Sequence, residues 1–132
     1  MARILIADDN ETVRNMERSF FQSQRDFEIC GEAINGLDAV EKASQLHPDL
    51  VVLDLSMPVM NGLEAAFRLK KMMPGMPIIL YTLYEGAIRE SDARAAGISA
   101  VIPKGDGMEN LVREARTLLK LVGPTGAANQ GN

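Results

Sequence analysis

An internal disulfide is ruled out, because Cys30 is the only cysteine among the 132 residues. It lies in the apolar stretch Phe27-Glu28-Ile29-Cys30 with no basic neighbour to lower its pKa. It therefore reads as a small buried hydrophobe and not as a reactive thiol. Histidine is equally scarce. The single one, His47, precedes Pro48 at the end of a helical pattern and reads as a helix-terminal residue, not as a phosphotransfer group. Basic charge is not in excess: 14 Lys and Arg stand against 18 Asp and Glu, and no basic run occurs. A nucleic-acid footprint is thereby excluded. No apolar run approaches the roughly 20 residues of a membrane span. The apolar start of the chain runs straight into Asp8 and Asp9, too early for the core of a signal peptide. The expectation is a cytoplasmic chain that touches neither membrane nor nucleic acid directly.

What the sequence does have is a five-fold alternation. Apolar runs fall at residues 4–7, 27–33, 50–55, 78–81 and 100–102. Several are near-continuous, as in strands buried on both faces of a parallel sheet; the more mixed run at 27–33 suits an edge strand. Helical patterns fill the gaps. Asn10 can cap a helix with Val13, Met16 and Phe20 on one face. Asn35-Gly36 precedes Leu37, Val40 and Ala43, while Leu63, Ala66 and Phe67 line a third helix that stops at Pro74-Gly75. A fourth, at about 85–96, offers Ile88 and alanines and little else to bury, which predicts shallow docking. In the fifth, Asp106 can act as cap ahead of Met108, Leu111, Val112, Ala115 and Leu118. Alternating strands and helices over this length predict one α/β domain with a parallel sheet over residues 1–121. Residues 122–132 carry no large apolar group after Val122 and are expected to be a disordered tail or linker stub.

Ligands of open parallel sheets bind at the carboxyl ends of the strands. Asp8 and Asp9 follow the first apolar run directly, and Asp54 lies near the end of the third. With those two strands as neighbours, three carboxylates converge. Their repulsion is relieved by a hard, oxygen-seeking cation, and Mg²⁺ takes one or two carboxylates while leaving room for phosphate oxygens. Taken alone, Asp8-Asp9 reads equally well as a pair of solvated acids. Asp54 can act as a nucleophile toward phosphorus. Such transfer needs a cation and a hydrogen-bond donor opposite the metal. Lys104 and Thr82, at the ends of the fifth and fourth strands, supply an ammonium and a hydroxyl.

The set Asp8-Asp9, Asp54-Leu55-Ser56-Met57-Pro58, Asn61-Gly62, Thr82 and Lys104 resembles the receiver domain of two-component response regulators across residues 2–121. The resemblance implies a flavodoxin-like (βα)5 fold with strand order 2-1-3-4-5, the order that chemotaxis receivers share with flavodoxin. It further implies that Asp54 is the phosphoacceptor. Asp8, Asp9, Asp54 and the backbone carbonyl of Ser56 would hold Mg²⁺, and Thr82 and Lys104 would meet the phosphoryl oxygens. Implied partners are a sensor histidine kinase or phosphotransfer protein, small phosphodonors, and a downstream effector protein. The implied role is a phosphorelay switch that catalyses only its own phosphorylation and dephosphorylation.

The chain departs from the family at three positions. Val101 stands where many receivers have a Tyr or Phe that swings inward. Gly105, not proline, follows Lys104. Leu83 follows Thr82 where small residues are frequent. The Lys104 variant resembles receivers attached to helix-turn-helix domains, so a fragment of a transcription regulator is the alternative. Tyr84 and Ser56 are expected to flank the path of hydrolytic water. Two further readings compete. A phosphohydrolase of the haloacid-dehalogenase type favours an aspartate where Ser56 stands, and a degenerate receiver would not need the full acidic set.

Overall fold

A computed structural model describes residues 1–83 and 85–121. Tyr84 and the tail expected at 122–132 lie outside the described residues. The strands are β1 (Ala2–Ala7), β2 (Phe27–Ala33), β3 (Leu50–Leu53), β4 (Ile78–Thr82) and β5 (Ala100–Pro103). They form one parallel sheet in the order β2-β1-β3-β4-β5. This is the flavodoxin-like order expected, with the mixed strand β2 at an edge. The β1–β2 register shifts between Ile4 and Leu5, where Cys30 is passed over. Cys30 is half-buried, and desolvation pushes its thiol pKa up, which keeps it protonated and inert.

Side chains alternate across this sheet into two apolar layers. Leu5, Val51, Leu53, Ile78 and Leu80 enter one; Ile4, Ile6, Leu50, Val52 and Ile79 enter the other. Both faces are covered, and that is why the central strands read as unbroken apolar runs.

The helices are α1 (Glu11–Gln22), α2 (Gly36–Leu46), α3 (Gly62–Met72), α4 (Glu90–Ala95) and α5 (Met108–Leu119). Three begin alike. The side chains of Asn10, Asn35 and Asn61 accept from the backbone N–H of Val13, Asp38 and Glu64. Each such cap stabilises its helix by about 1 kcal/mol. His47 ends α2 in the left-handed conformation, as a helix-terminal residue.

Four expectations need correction. The inner face of α1 is not Val13-Met16-Phe20: Met16 is 55% exposed, and the buried residues are Glu17 and Phe21. Phe21 sets this rotation by meeting Phe27 of β2 edge to face, with centroids 5.2 Å apart. Phe67 and Leu37 lie outward, because α3 and α2 approach the sheet through alanines (Ala65 and Ala66; Ala39 and Ala43) that let the backbones come close. The fourth helix is shorter than 85–96. A 3₁₀ turn at Glu85–Ala87 comes first, and α4 buries Ala93 alone and starts without a side-chain cap. Asp106 does not cap α5. It belongs to a 3₁₀ turn at Lys104–Asp106, and Gly107, at φ 90°, makes the break from which α5 starts.

Candidate functional site

Sheet register assembles the acidic site. Ala7 of β1 pairs with Leu53 of β3, so the residues that follow, Asp8 and Asp54, leave the sheet side by side. The backbone fixes both exits: the Asp54 N–H donates to the Ala7 carbonyl at 3.0 Å, and the Asp8 N–H to that of Ala33 at 3.1 Å. Carboxylate oxygens of Asp8, Asp9 and Asp54 lie within 4.8 Å of one another. Asp8 is buried, Asp54 nearly so, and Asp9 faces solvent. β3 ends at Leu53, so Asp54 is the first residue beyond the strand and not part of it.

Lys104 reaches this cluster from the far side. Its Nζ donates to Asp8 Oδ2 at 2.6 Å and lies 3.4 Å from Asp54 Oδ2. The other Asp8 oxygen accepts from the Asn10 N–H at 2.9 Å, and Arg14 donates to the Asp8 carbonyl at 2.7 Å. Thr82 is fully buried at the end of β4, paired in register with Pro103; β4 lies between the strands that carry Asp54 and Lys104. Ser56 is exposed in the loop after Asp54.

That loop is held from behind by two glycines. A Cβ on Gly62 would run into the carbonyl of Asp54, and one on Gly36 into that of Met60. Hydrogen bonds seal the same contacts, from Gly62 N–H to the Leu55 carbonyl and from Gly36 N–H to the Met60 carbonyl, both at 2.9 Å. Between them Val59 takes φ 68°, and the Met60 N–H turns back to the Pro58 carbonyl at 2.6 Å.

The charges are unbalanced. Burial pushes the Asp54 carboxyl above its ordinary value; the Lys104 ammonium works against this and the Asp8 carboxylate with it. Lys104 is itself held high: burial pulls it down, but the Asp8 hydrogen bond and the charges of Asp54 and Asp8 prevail. Asp8 and Asp54 thus share one ammonium, with the Asp9 carboxylate beside them. A hard divalent cation on Asp8, Asp9 and Asp54 would supply the charge still wanting, and the all-oxygen donor set suits Mg²⁺.

Residues 4–116 match the family described as the response regulator receiver domain. The chain belongs to that family. It is a two-component receiver of flavodoxin-like fold, and among the described residues no helix is long and apolar enough to cross a membrane. It is similar to the uncharacterized transcriptional regulatory protein YhcZ of Bacillus subtilis, with 40% identity over 84% of this chain and 52% of that one. Its structure is similar to the response regulator domain of Thermotoga maritima CheB, with 30% identity, TM-score 0.83, and 92% and 98% of the two chains covered. The T. maritima response regulator TrrA, solved in complex with Mg²⁺ and BeF, is 30% identical with TM-score 0.81, covering 89% of this receiver and 99% of that chain. The receiver spans a third to about a half of the length of the first curated relatives it matches (33% and 52%).

Sequence reasoning missed two side chains here. Glu17 of α1 is buried, and its carboxyl pKa is raised from 4.5 to about 8 by desolvation and by the charge of Asp8. Tyr81 lies under the site, with Lys104 Nζ 5.9 Å from its ring centroid. Set between Met16 and Arg18, Glu17 reads as solvated surface. Its four-residue spacing to Val13 and Phe21 was the available signal.

Proposed function

We propose that this receiver accepts a phosphoryl group on Asp54 in a Mg²⁺-dependent reaction and thereby changes which partner it binds. The observation that carries this reading is the clasp of Asp8, Asp9 and Asp54 with Lys104 bridging two of them. An Asp54 carboxylate oxygen forms a bond to phosphorus. The donor's bond to that phosphorus breaks, and the leaving group departs with the electron pair. Mg²⁺, held by Asp8, Asp9, Asp54 and the Ser56 carbonyl, would supply charge neutralisation for the phosphoryl oxygens. Lys104 pairs with those oxygens, and Thr82 donates its hydroxyl to them. The similar TrrA was crystallised in complex with Mg²⁺ and BeF, which supports a Mg²⁺-dependent reaction here.

The donor is a sensor histidine kinase, a phosphotransfer protein or a small phosphodonor, in the cytoplasm. Catalysis is confined to the receiver's own phosphorylation and dephosphorylation. The new charge draws in Thr82 and Lys104, and the segment from Leu83 to α4 follows. A partner preference of about 10–100-fold requires only about 1.4–2.8 kcal/mol of coupling. Val101, half-buried and lining a groove with Ile88 and Ala93, takes no part in a ring-swing.

A second reading, the receiver portion of a helix-turn-helix transcription regulator, is favoured by the match to about half of a transcriptional regulatory protein. A helix-turn-helix domain in the same reading frame decides it. The first reading is tested by intact mass after acetyl phosphate and Mg²⁺. The expected result is a gain of one phosphoryl group in the parent and none in Asp54→Asn or with chelator. Equal gain in Asp54→Asn rules Asp54 out.

A further inference from the structure

α1 carries a side chain that neither the fold nor the phosphoryl chemistry uses. Glu17 is 2% exposed, and among the described residues its Oε1 has no hydrogen-bond partner. One turn on, Phe21 is fully buried on the same helix face. A buried carboxyl oxygen left unbonded is destabilising, because it forfeits its hydration without a replacement partner. An apolar residue would fill the position without that cost, so packing alone does not call for glutamate. Such a locally unfavourable choice marks a functional position.

Its electrostatic surroundings are those of the site. Asp8 and Asp54 act on Glu17 in one direction, Lys104 and Arg14 in the other. Tyr81, on the sheet face that α1 covers, is acted on by both Glu17 and Lys104. The Lys104 ammonium has three donors. Two acceptors are accounted for, Asp8 Oδ2 and Asp54 Oδ2. A cation on the three acids competes with the ammonium for Asp8.

Resting on the reading of Asp54 as phosphoacceptor, we propose that Glu17 is a positioning residue for Lys104: when Asp8 turns to a cation, Glu17 Oε1 accepts a hydrogen bond from the ammonium and keeps it aimed at the phosphoryl group. With no cation on the acids, burial, then Asp8, push the Glu17 carboxyl up to about 8. Its neutral form suits the task. A neutral carbonyl oxygen orients the lysine without competing for it against a phosphoryl dianion, as an ionised carboxylate would.

The test compares the parent with Glu17→Gln and Glu17→Leu, in the whole chain, by the rate of labelling with acetyl phosphate and Mg²⁺ and by urea midpoints. Glu17→Leu is expected to unfold at higher urea and yet to label about tenfold more slowly, the loss of one hydrogen bond to a charged group. Glu17→Gln retains the acceptor and is expected to label within about twofold of the parent. Glu17→Met gives the same comparison where the leucine variant does not fold. Labelling of the apolar variants at the parent rate overturns the inference, and so does equal slowing in glutamine and leucine variants. Both outcomes leave Asp54 in place. Failure of the parent itself to label, under conditions where a known receiver does, overturns the Asp54 reading and this one together.

Discussion

At Val59 the chain accepts local strain. A β-branched residue at φ 68° is out of place, since the left-handed region crowds Cβ against the backbone. The i to i+2 hydrogen bond across it matches the rare γ-turn of positive φ. The strain is tolerated because Asp54 and Met60 on either side are pinned against Gly62 and Gly36. Val59 is 76% exposed, so its side chain loses no packing on truncation. Val59→Gly is expected to stabilise the fold by about 1 kcal/mol, read from the urea midpoint at unchanged m-value. Glu17 gives a second effect at this scale. Its folded pKa of about 8 exceeds the ordinary 4.5, so the native state keeps a proton that the unfolded chain releases. The sign follows from linkage: the native state is favoured below pH 4.5, and the advantage is lost as pH rises toward about 8. Relative to Glu17→Gln, parent stability should fall as pH rises across that window and level off above it. Urea unfolding of both proteins from pH 5 to 9 checks this. Asp54, shifted in the same direction, is common to both, and only its coupling to Glu17 differs between them.

Among the elements, α5 is tied to the opposite edge of the molecule by one residue. Arg116 grips Asp26 through two hydrogen bonds, Nε to Oδ2 at 2.8 Å and Nη2 to Oδ1 at 3.1 Å, donates to Gln24, and stacks over Phe27 with its Cζ 5.4 Å from the ring centroid. The hydrogen bond from Arg116 holds the Asp26 carboxyl below its usual range. Arg116→Ala should cost about 1–2 kcal/mol, and less at a pH low enough to protonate Asp26, measured by denaturant unfolding at pH 7 and pH 3. Strand existence and the edge position of β2 were legible in the sequence, because burial on both sheet faces writes itself as unbroken apolar runs and a mixed run marks an edge; the strand order came from the family resemblance. The three asparagine caps were equally legible, one side chain accepting one N–H. Helix rotation was not. In α1, Met16 and Phe20 fit an apolar stripe as well as Phe21 does, and only the contact with Phe27, six residues on and in another element, selects the true face. The Asp106 cap failed for a related reason. The start of α5 is set by the turn that carries Lys104 toward the acids, and the sequence shows the cap residue without that turn.

The whole molecule gathers its chemistry at one end of the sheet. Asp8, Asp9, Asp54 and Lys104, separated by up to 96 residues, meet there because the strand order brings β1 beside β3 and leaves β5 within reach of a long lysine stem. These positions were legible from strand-end placement together with the β1–β3 neighbouring that the family resemblance implies; Glu17 was not, since a lone acid within a helix reads as surface until burial is known. On the proposed reading, the same geometry directs the conformational change toward α4. Thr82 ends β4 and Lys104 directly follows β5, and the segment they flank contains the least deeply docked helix, α4. Reductive trapping reads the phosphoacceptor itself. The chain is labelled with acetyl phosphate and Mg²⁺ and reduced with borohydride, which turns an acyl phosphate into the alcohol, and its peptides are sequenced by mass. Homoserine is expected at position 54 and nowhere else. Homoserine at another aspartate, or an unreduced phosphate on a hydroxyl or imidazole, would contradict the assignment of Asp54.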